Sequence, residues 1–135
     1  MNRFAEEGKR HRELVQQALG ALIEVEAEDI HCRAEGYHQP ELYGVYRPDV
    51  TGIVDGKLWL AACKLISDLR ANNKHSVEQV QALARFALEH NFVFALWVDG
   101  DQLWARSWLT KLGIPPNGNV VVRPSLFTIA APIPC

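Results

Sequence analysis

Arg47-Pro48-Asp49-Val50-Thr51-Gly52-Ile53-Val54-Asp55-Gly56-Lys57-Leu58-Trp59-Leu60-Ala61-Ala62-Cys63-Lys64 is the stretch whose reading decides the fold. Val50–Val54 and Leu58–Cys63 are β-prone runs, and Asp55-Gly56 stands between them. An Asp-Gly pair in that setting marks a two-residue hairpin, because both turn positions need positive φ. The hairpin brings the start of one strand beside the end of the next. Asp49 and Lys64 are therefore expected near each other at one end of a sheet, with their side chains on one face, where they could share one site.

Downstream, the chain turns polar from Ser67 to His75. Ser76 with Gln79 three residues later reads as a capping box. It opens an expected helix from about Val77 to Glu89, with Val80, Leu83, Ala84, Ala87 and Leu88 on its inner face. Phe92–Val98 is a near-continuous apolar run of strand length, the pattern of a central strand covered on both faces. Asp99-Gly100-Asp101 then reads as a turn into a further strand, Gln102–Arg106, and Trp108–Leu112 as a helical turn ended by Gly113. Val120–Val122 is an expected edge strand, and the Pro-containing tail to Cys135 reads as irregular.

Upstream, Arg3–Glu24 has helical periodicity: Phe4, His11, Leu14, Val15, Ala18, Leu19 and Leu22 fall near one face. Asp29–Glu35 alternates weakly, as a short edge strand does. Gly36–Tyr46, with Pro40 and Gly44, reads as a loop. A hairpin followed by a helical crossover to a buried strand implies an α/β fold, a mixed central β-sheet flanked by helices.

The 135 residues fit one domain, residues 1–135. At 48% hydrophobic and 22% charged, the chain has the balance of a globular domain rather than a disordered segment. No apolar run reaches the roughly 18 residues that span a bilayer. The charged start Met1–Glu7 does not read as a secretory signal peptide. Cys32, Cys63 and Cys135 share no metal-ligand spacing and read as reduced thiols, so the expected site of action is cytoplasmic. A net charge of −2 gives no general attraction for nucleic acid, and any such binding must rest on a local groove.

Pro48-Asp49, the hairpin, x-x-Lys64 at the strand end and the helix–strand unit that follows resemble the PD-(D/E)XK nucleases. That superfamily includes restriction enzymes, Holliday-junction resolvases and toxin nuclease domains. The resemblance covers roughly Arg47–Val98 and, with the first helix, about Lys9–Arg106. It implies a restriction-endonuclease-like core of order αβββαβ and a Mg²⁺- or Mn²⁺-dependent endonuclease acting on DNA or RNA. It makes Asp49 the first metal ligand, the Cys63 carbonyl another, and Lys64 the catalytic lysine. Such chemistry needs a hard cation on the phosphate oxygen and an activated water.

Ala62 is the departure, since the pattern requires Glu or Asp there. Three accounts follow: a glutamate replaced to silence the enzyme, natural loss toward a binding or structural role, or migration of the acid to Glu78 or Glu35. Glu13 on the first helix is a candidate auxiliary acid, against the plain reading of a solvated helical Glu. Gln81 on the crossover helix is the candidate glutamine, Gln79 being accounted for by the cap. Lys74 and His75 are candidate phosphate contacts. Tyr37, Tyr43 and Tyr46 are candidate stacking residues, whereas Trp59, Trp97, Trp104 and Trp108 read as packing. The five histidines show no zinc-ligand spacing.

The expected function is that of a nuclease like the small toxin domains at the C-termini of bacterial polymorphic toxins, here in an inactivated form. Such a domain reaches its target within a larger secreted or cell-surface parent chain and has an immunity protein as partner. The alternatives are a cellular nuclease of Holliday-junction-resolvase type, which meets DNA through a basic face, and a non-catalytic nuclease-fold binding module.

Overall fold

The computed structural model describes residues 3–124. Cys135 and the Pro-containing tail lie outside them. The elements are helix α1 (Arg3–Glu24), strands β1 (Glu28–Cys32), β2 (Val50–Val54) and β3 (Lys57–Lys64), helices α2 (Ile66–Arg70) and α3 (Lys74–His90), strand β4 (Val93–Val98), helix α4 (Gln102–Lys111) and strand β5 (Val120–Pro124). The strands form one mixed sheet of order β1-β2-β3-β4-β5. β1–β2 and β2–β3 are antiparallel, while β3–β4 and β4–β5 are parallel.

The β2–β3 hairpin turns on Asp55 and Gly56, at φ 49° and 81°, the conformation that its two-residue loop demands. Its register pairs Val50 with Ala61 and Val54 with Lys57. Gly52 answers a different need. A Cβ there would stand 3.2 Å from the Ala27 Cβ and 3.5 Å from Leu22, so a bare backbone lets the end of α1 close on β2.

Alternation along β3 divides the interior in two. Leu60 and Ala62 join Val80, Leu83, Ala84, Phe94, Leu96, Trp108 and Leu109 in a core under α2, α3 and α4. Ala61 and Cys63 face the other way, with Leu14, Val15, Ala18, Leu22, Val50 and Trp97 under α1. All six residues of β4 are buried, as a central strand covered on both faces requires. Burying this much apolar surface from both faces is the main force closing the fold.

Three sequence expectations need correction. Gln102–Arg106 is not a strand: α4 covers it. The Asp101 carboxylate accepts the Trp104 N–H at 2.9 Å as an N-cap, and Ala105, Trp108 and Leu109 are buried at helical spacing. A five-residue run carries too little period-2 signal to outweigh that cap. The polar stretch after Lys64 contains α2, whose Leu69 is fully buried. The third correction concerns the crossover helix, which starts at Lys74. Asn73 is its cap, accepting the Ser76 N–H at 3.1 Å, so Ser76 and Gln79 form no capping box. Among the described residues no helix is long and apolar enough to cross a membrane.

Candidate functional site

Pro48 brings no N–H to the sheet, so the regular β2–β3 ladder cannot extend through it. Asp49 takes over at that point. Its N–H donates to the carbonyl of Ala61 at 2.9 Å, although Ala61 is already the partner of Val50. Asp49 stands just before β2, and this bond departs from the register that the ladder keeps from Val50 onward. The Asp49 carboxylate, on a residue only 3% exposed, turns to the free strand end, and Oδ2 accepts the Cys63 N–H at 2.7 Å. A side chain thus satisfies a backbone donor that the departing strand abandons. The carbonyl of Asp49 accepts the Arg33 N–H at 3.0 Å, which ties down the chain after β1.

Lys64, the next residue, sends its ammonium to Gln79 Oε1 on α3. Gln79 is buried and donates from Nε2 to the carbonyl of Arg47 at 3.0 Å. The same carbonyl takes Arg33 Nη2 at 3.1 Å, and the Arg47 guanidinium donates to the carbonyl of Pro40. One network therefore holds the Arg47-Pro48-Asp49 segment, the end of β3 and the start of α3 together.

Burial pulls the Lys64 amine below the ordinary lysine range. The charges of Asp49, Asp68 and Cys63 oppose that shift, and Arg33 reinforces it. Lys64 and Asp49 thus feel one another, yet no salt bridge joins them among the described residues. Asp49 Oδ1 lies 3.6 Å from His11 Nε2 on α1, while Lys64 is held from the α3 side. The two side chains approach the same sheet end from its two faces, not from the one shared face that the hairpin predicts, and this counts against a joint catalytic site. Desolvation, with Asp49 nearby, pushes the Cys63 thiol up, and it pushes Cys32 to about 11. Both are buried, protonated core residues.

A divalent ion does not fit the donors present. In an extended strand the N–H and C=O of one residue leave on the same edge, so the Cys63 carbonyl turns toward Asp49. That supplies a carboxylate and a carbonyl. Ala62, where a second carboxylate is needed, is fully buried in the α3-side core. Among the described residues no three His, Cys, Asp or Glu come together in a way that would hold an ion. A hard cation with octahedral demands is poorly served by one carboxylate already engaged with an N–H.

The other candidates lie around this end or away from it. Gln79, not Gln81, contacts Lys64; Gln81 is half-buried on α3. Glu78 is exposed, accepts the Tyr46 hydroxyl at 3.1 Å and lies 3.9 Å from Lys74. Tyr46 stands beside His75, with ring centroids 5.8 Å apart, so the Tyr46 loop and the first turn of α3 form one polar rim. Tyr43 packs edge-on against Phe86 at 5.5 Å, and Tyr37 is partly exposed. Glu13 is exposed on α1, and Glu35 lines a cleft with His11, Arg12 and Arg33. Trp97 and Trp108 are core, while Trp59 and Trp104 carry the Arg123 and Arg70 guanidiniums over their rings.

Sequence reasoning missed His11, Arg33 and Gln79. His11 and Arg33 carry no local signature, because their partners lie far along the chain. Gln79 was hidden by the apparent cap at Ser76. Comparisons with family models, with curated proteins and with solved structures gave no match to this chain.

Proposed function

We propose that this domain holds a nucleic-acid phosphodiester at the Asp49–Lys64 end of its sheet, and that it is a nuclease domain of PD-(D/E)XK kind lacking one metal-binding acid. The observation that carries this reading is the Asp49 Oδ2 contact with the Cys63 N–H at 2.7 Å. It joins the Pro-Asp segment to the x-x-Lys segment at one strand end. The order α1, β1, β2, β3, α3, β4 around the mixed sheet supports a restriction-endonuclease-like αβββαβ core.

With Ala62 in place, the residues of this chain bind and orient rather than cleave. Lys64, steadied by Gln79, offers its amine to a phosphate oxygen. Arg47 adds positive charge behind it. Asp49 keeps the strand end in register and carries the carboxylate that a completed metal site would use. Metal, where a second acid completed the site, would supply Lewis-acid activation of the phosphate. The parent function in this reading is that of a toxin nuclease with an immunity protein as partner.

A second reading has its own support. Ala62 is fully buried among apolar side chains, a position suited to a methyl group, which favours a nuclease fold retained for binding alone.

Amide chemical shifts on adding single-stranded DNA, RNA or duplex oligonucleotides in EDTA test the shared claim. Shifts should centre on Asp49, Cys63, Lys64, Gln79 and the Tyr46–His75 rim. Shifts confined to α4 and β5, or none with any oligonucleotide, would overturn it.

A further inference from the structure

Beside the Asp49 end, α1 and the segment after β1 enclose a cleft of about 370 Å³. His11, Arg12 and Gln16 line it from α1, and Arg33 and Glu35 from the other wall. Two arginines, one glutamate and a histidine thus share the cleft's lining, an excess of basic residues in a chain whose net charge is −2. Among residues 8–123, neither Arg12 nor Arg33 forms a salt bridge.

The cleft is wired to the site. His11 both lines it and reaches Asp49 Oδ1 at 3.6 Å. Arg33 lines it too, donates its N–H to the Asp49 carbonyl at 3.0 Å, and anchors one guanidinium nitrogen on the Arg47 carbonyl at 3.1 Å. That anchor ties one end of the guanidinium, whose planar fork suits a phosphate oxygen pair. The Arg33 charge is also felt at Lys64, so the cleft and the Lys64 amine share one field.

We propose that the Arg12–Arg33 cleft binds a second phosphate of the same nucleic-acid strand, next to the phosphate held at the Asp49–Lys64 end. The inference rests on the functional reading above and adds to it the path of the strand: from Lys64, past Arg33, to the first half of α1. Glu35 at the cleft wall offers an acceptor for a sugar hydroxyl or base amine. A single phosphate would use only one of the two stations, so a polymer is the ligand and a mononucleotide is not.

Fluorescence anisotropy of a labelled single-stranded 12-mer, in EDTA and across a salt series, tests this on the full chain. Arg12 is exposed on α1, so Arg12→Ala leaves the core untouched, and Arg33→Gln is its partner. With one phosphate lost per arginine, the slope of log K against log salt should fall by about 0.7 for each single variant and about 1.4 for the double. That corresponds to roughly 25-fold weaker binding at 0.1 M salt. Arg85→Ala, exposed on α3, should change neither. If Lys64→Ala weakens binding while the double variant matches wild type, the cleft proposal is overturned and the Lys64 site stands. No binding by wild type overturns both. Binding of adenosine monophosphate as tight as that of the 12-mer overturns the two-station path.

Discussion

The Asp49 carboxylate accepts the main-chain N–H of Cys63 at 2.7 Å, and through that contact a side chain continues a β-ladder that Pro48 has ended. The bond fixes where the functional groups stand. Cys63 is held from one side by Asp49, and Lys64, one residue on, is held from the other by Gln79. Asp49 is consequently structural as well as chemical. Asp49→Asn keeps an acceptor for the Cys63 N–H and removes only charge. Asp49→Ala leaves a buried donor unpaired, which costs about 1–3 kcal/mol. Urea unfolding of the two variants should show Asp49→Ala as clearly the less stable; equal stability would mean that the contact carries no weight.

Lys64 supplies a titration. Burial lowers its affinity for a proton, and Asp49 raises it. After reductive ¹³C-methylation its signal should titrate below the ordinary lysine range, lower still in Asp49→Asn and higher in Arg33→Gln. The linkage has a definite sign. Between the folded value and the ordinary 10.5 the unfolded chain binds more protons at this position. This residue's contribution to stability therefore rises with pH across that window. A Lys64 signal at or above the ordinary value would contradict the burial described.

The core under α3 predicts a large truncation effect. Leu83 is fully buried with Val80, Ala84, Phe94 and Leu96. Leu83→Ala should cost on the order of 2–5 kcal/mol by chemical denaturation. A loss of only a few tenths would place the residue at the surface.

That part of the fold was readable from local chemistry. Asp55-Gly56 specifies its own turn, and the unbroken apolar run of Phe92–Val98 specifies a covered strand, now seen as Val93–Val98. α4 was not readable in the same way. The five-residue window Gln102–Arg106 fits alternation as well as helical period, and the decision rests on Asp101 acting as a cap. Similar ambiguity hid the site's glutamine. Ser76 reads as the cap, and only the packed structure shows Asn73 in that role, freeing Gln79 for Lys64. The placement of Asp49 and Lys64 at one sheet end followed from the hairpin. Their approach from opposite faces did not, because it depends on the irregular pairing at Asp49 and on partners in α1 and α3.

The corrected helix makes its own prediction. Asp101→Ala removes the acceptor for the Trp104 N–H and should cost about 0.5–2 kcal/mol. Hydrogen exchange should quicken in the first turn of α4. No change in either quantity would restore the strand reading of Gln102–Arg106.

Thiol chemistry checks the interior. Cys32 and Cys63 are buried and protonated well past neutral pH. Iodoacetamide at pH 8 should leave both unmodified in the native protein and label both in urea, with mass spectrometry of the peptides as the readout. Rapid native labelling of Cys63 would mean that the Asp49 end of β3 opens readily.

The most direct measurement is cleavage by the Ala62→Glu protein, with Ala62→Asp beside it. Plasmid DNA, single-stranded DNA, total RNA and transfer RNA are incubated with Mg²⁺ or Mn²⁺, against EDTA, and melting temperature is followed with and without metal. The account predicts no cleavage by the Ala62 protein. It predicts EDTA-sensitive cleavage and a metal-induced rise in melting temperature for at least one acidic variant, with cleavage abolished by adding Lys64→Ala. A folded acidic variant that neither binds metal nor cuts any substrate would contradict the nuclease reading and leave a binding module. Strong EDTA-sensitive cleavage by the Ala62 protein itself would contradict the account of position 62 and turn attention to Glu35, Glu78 and Glu13.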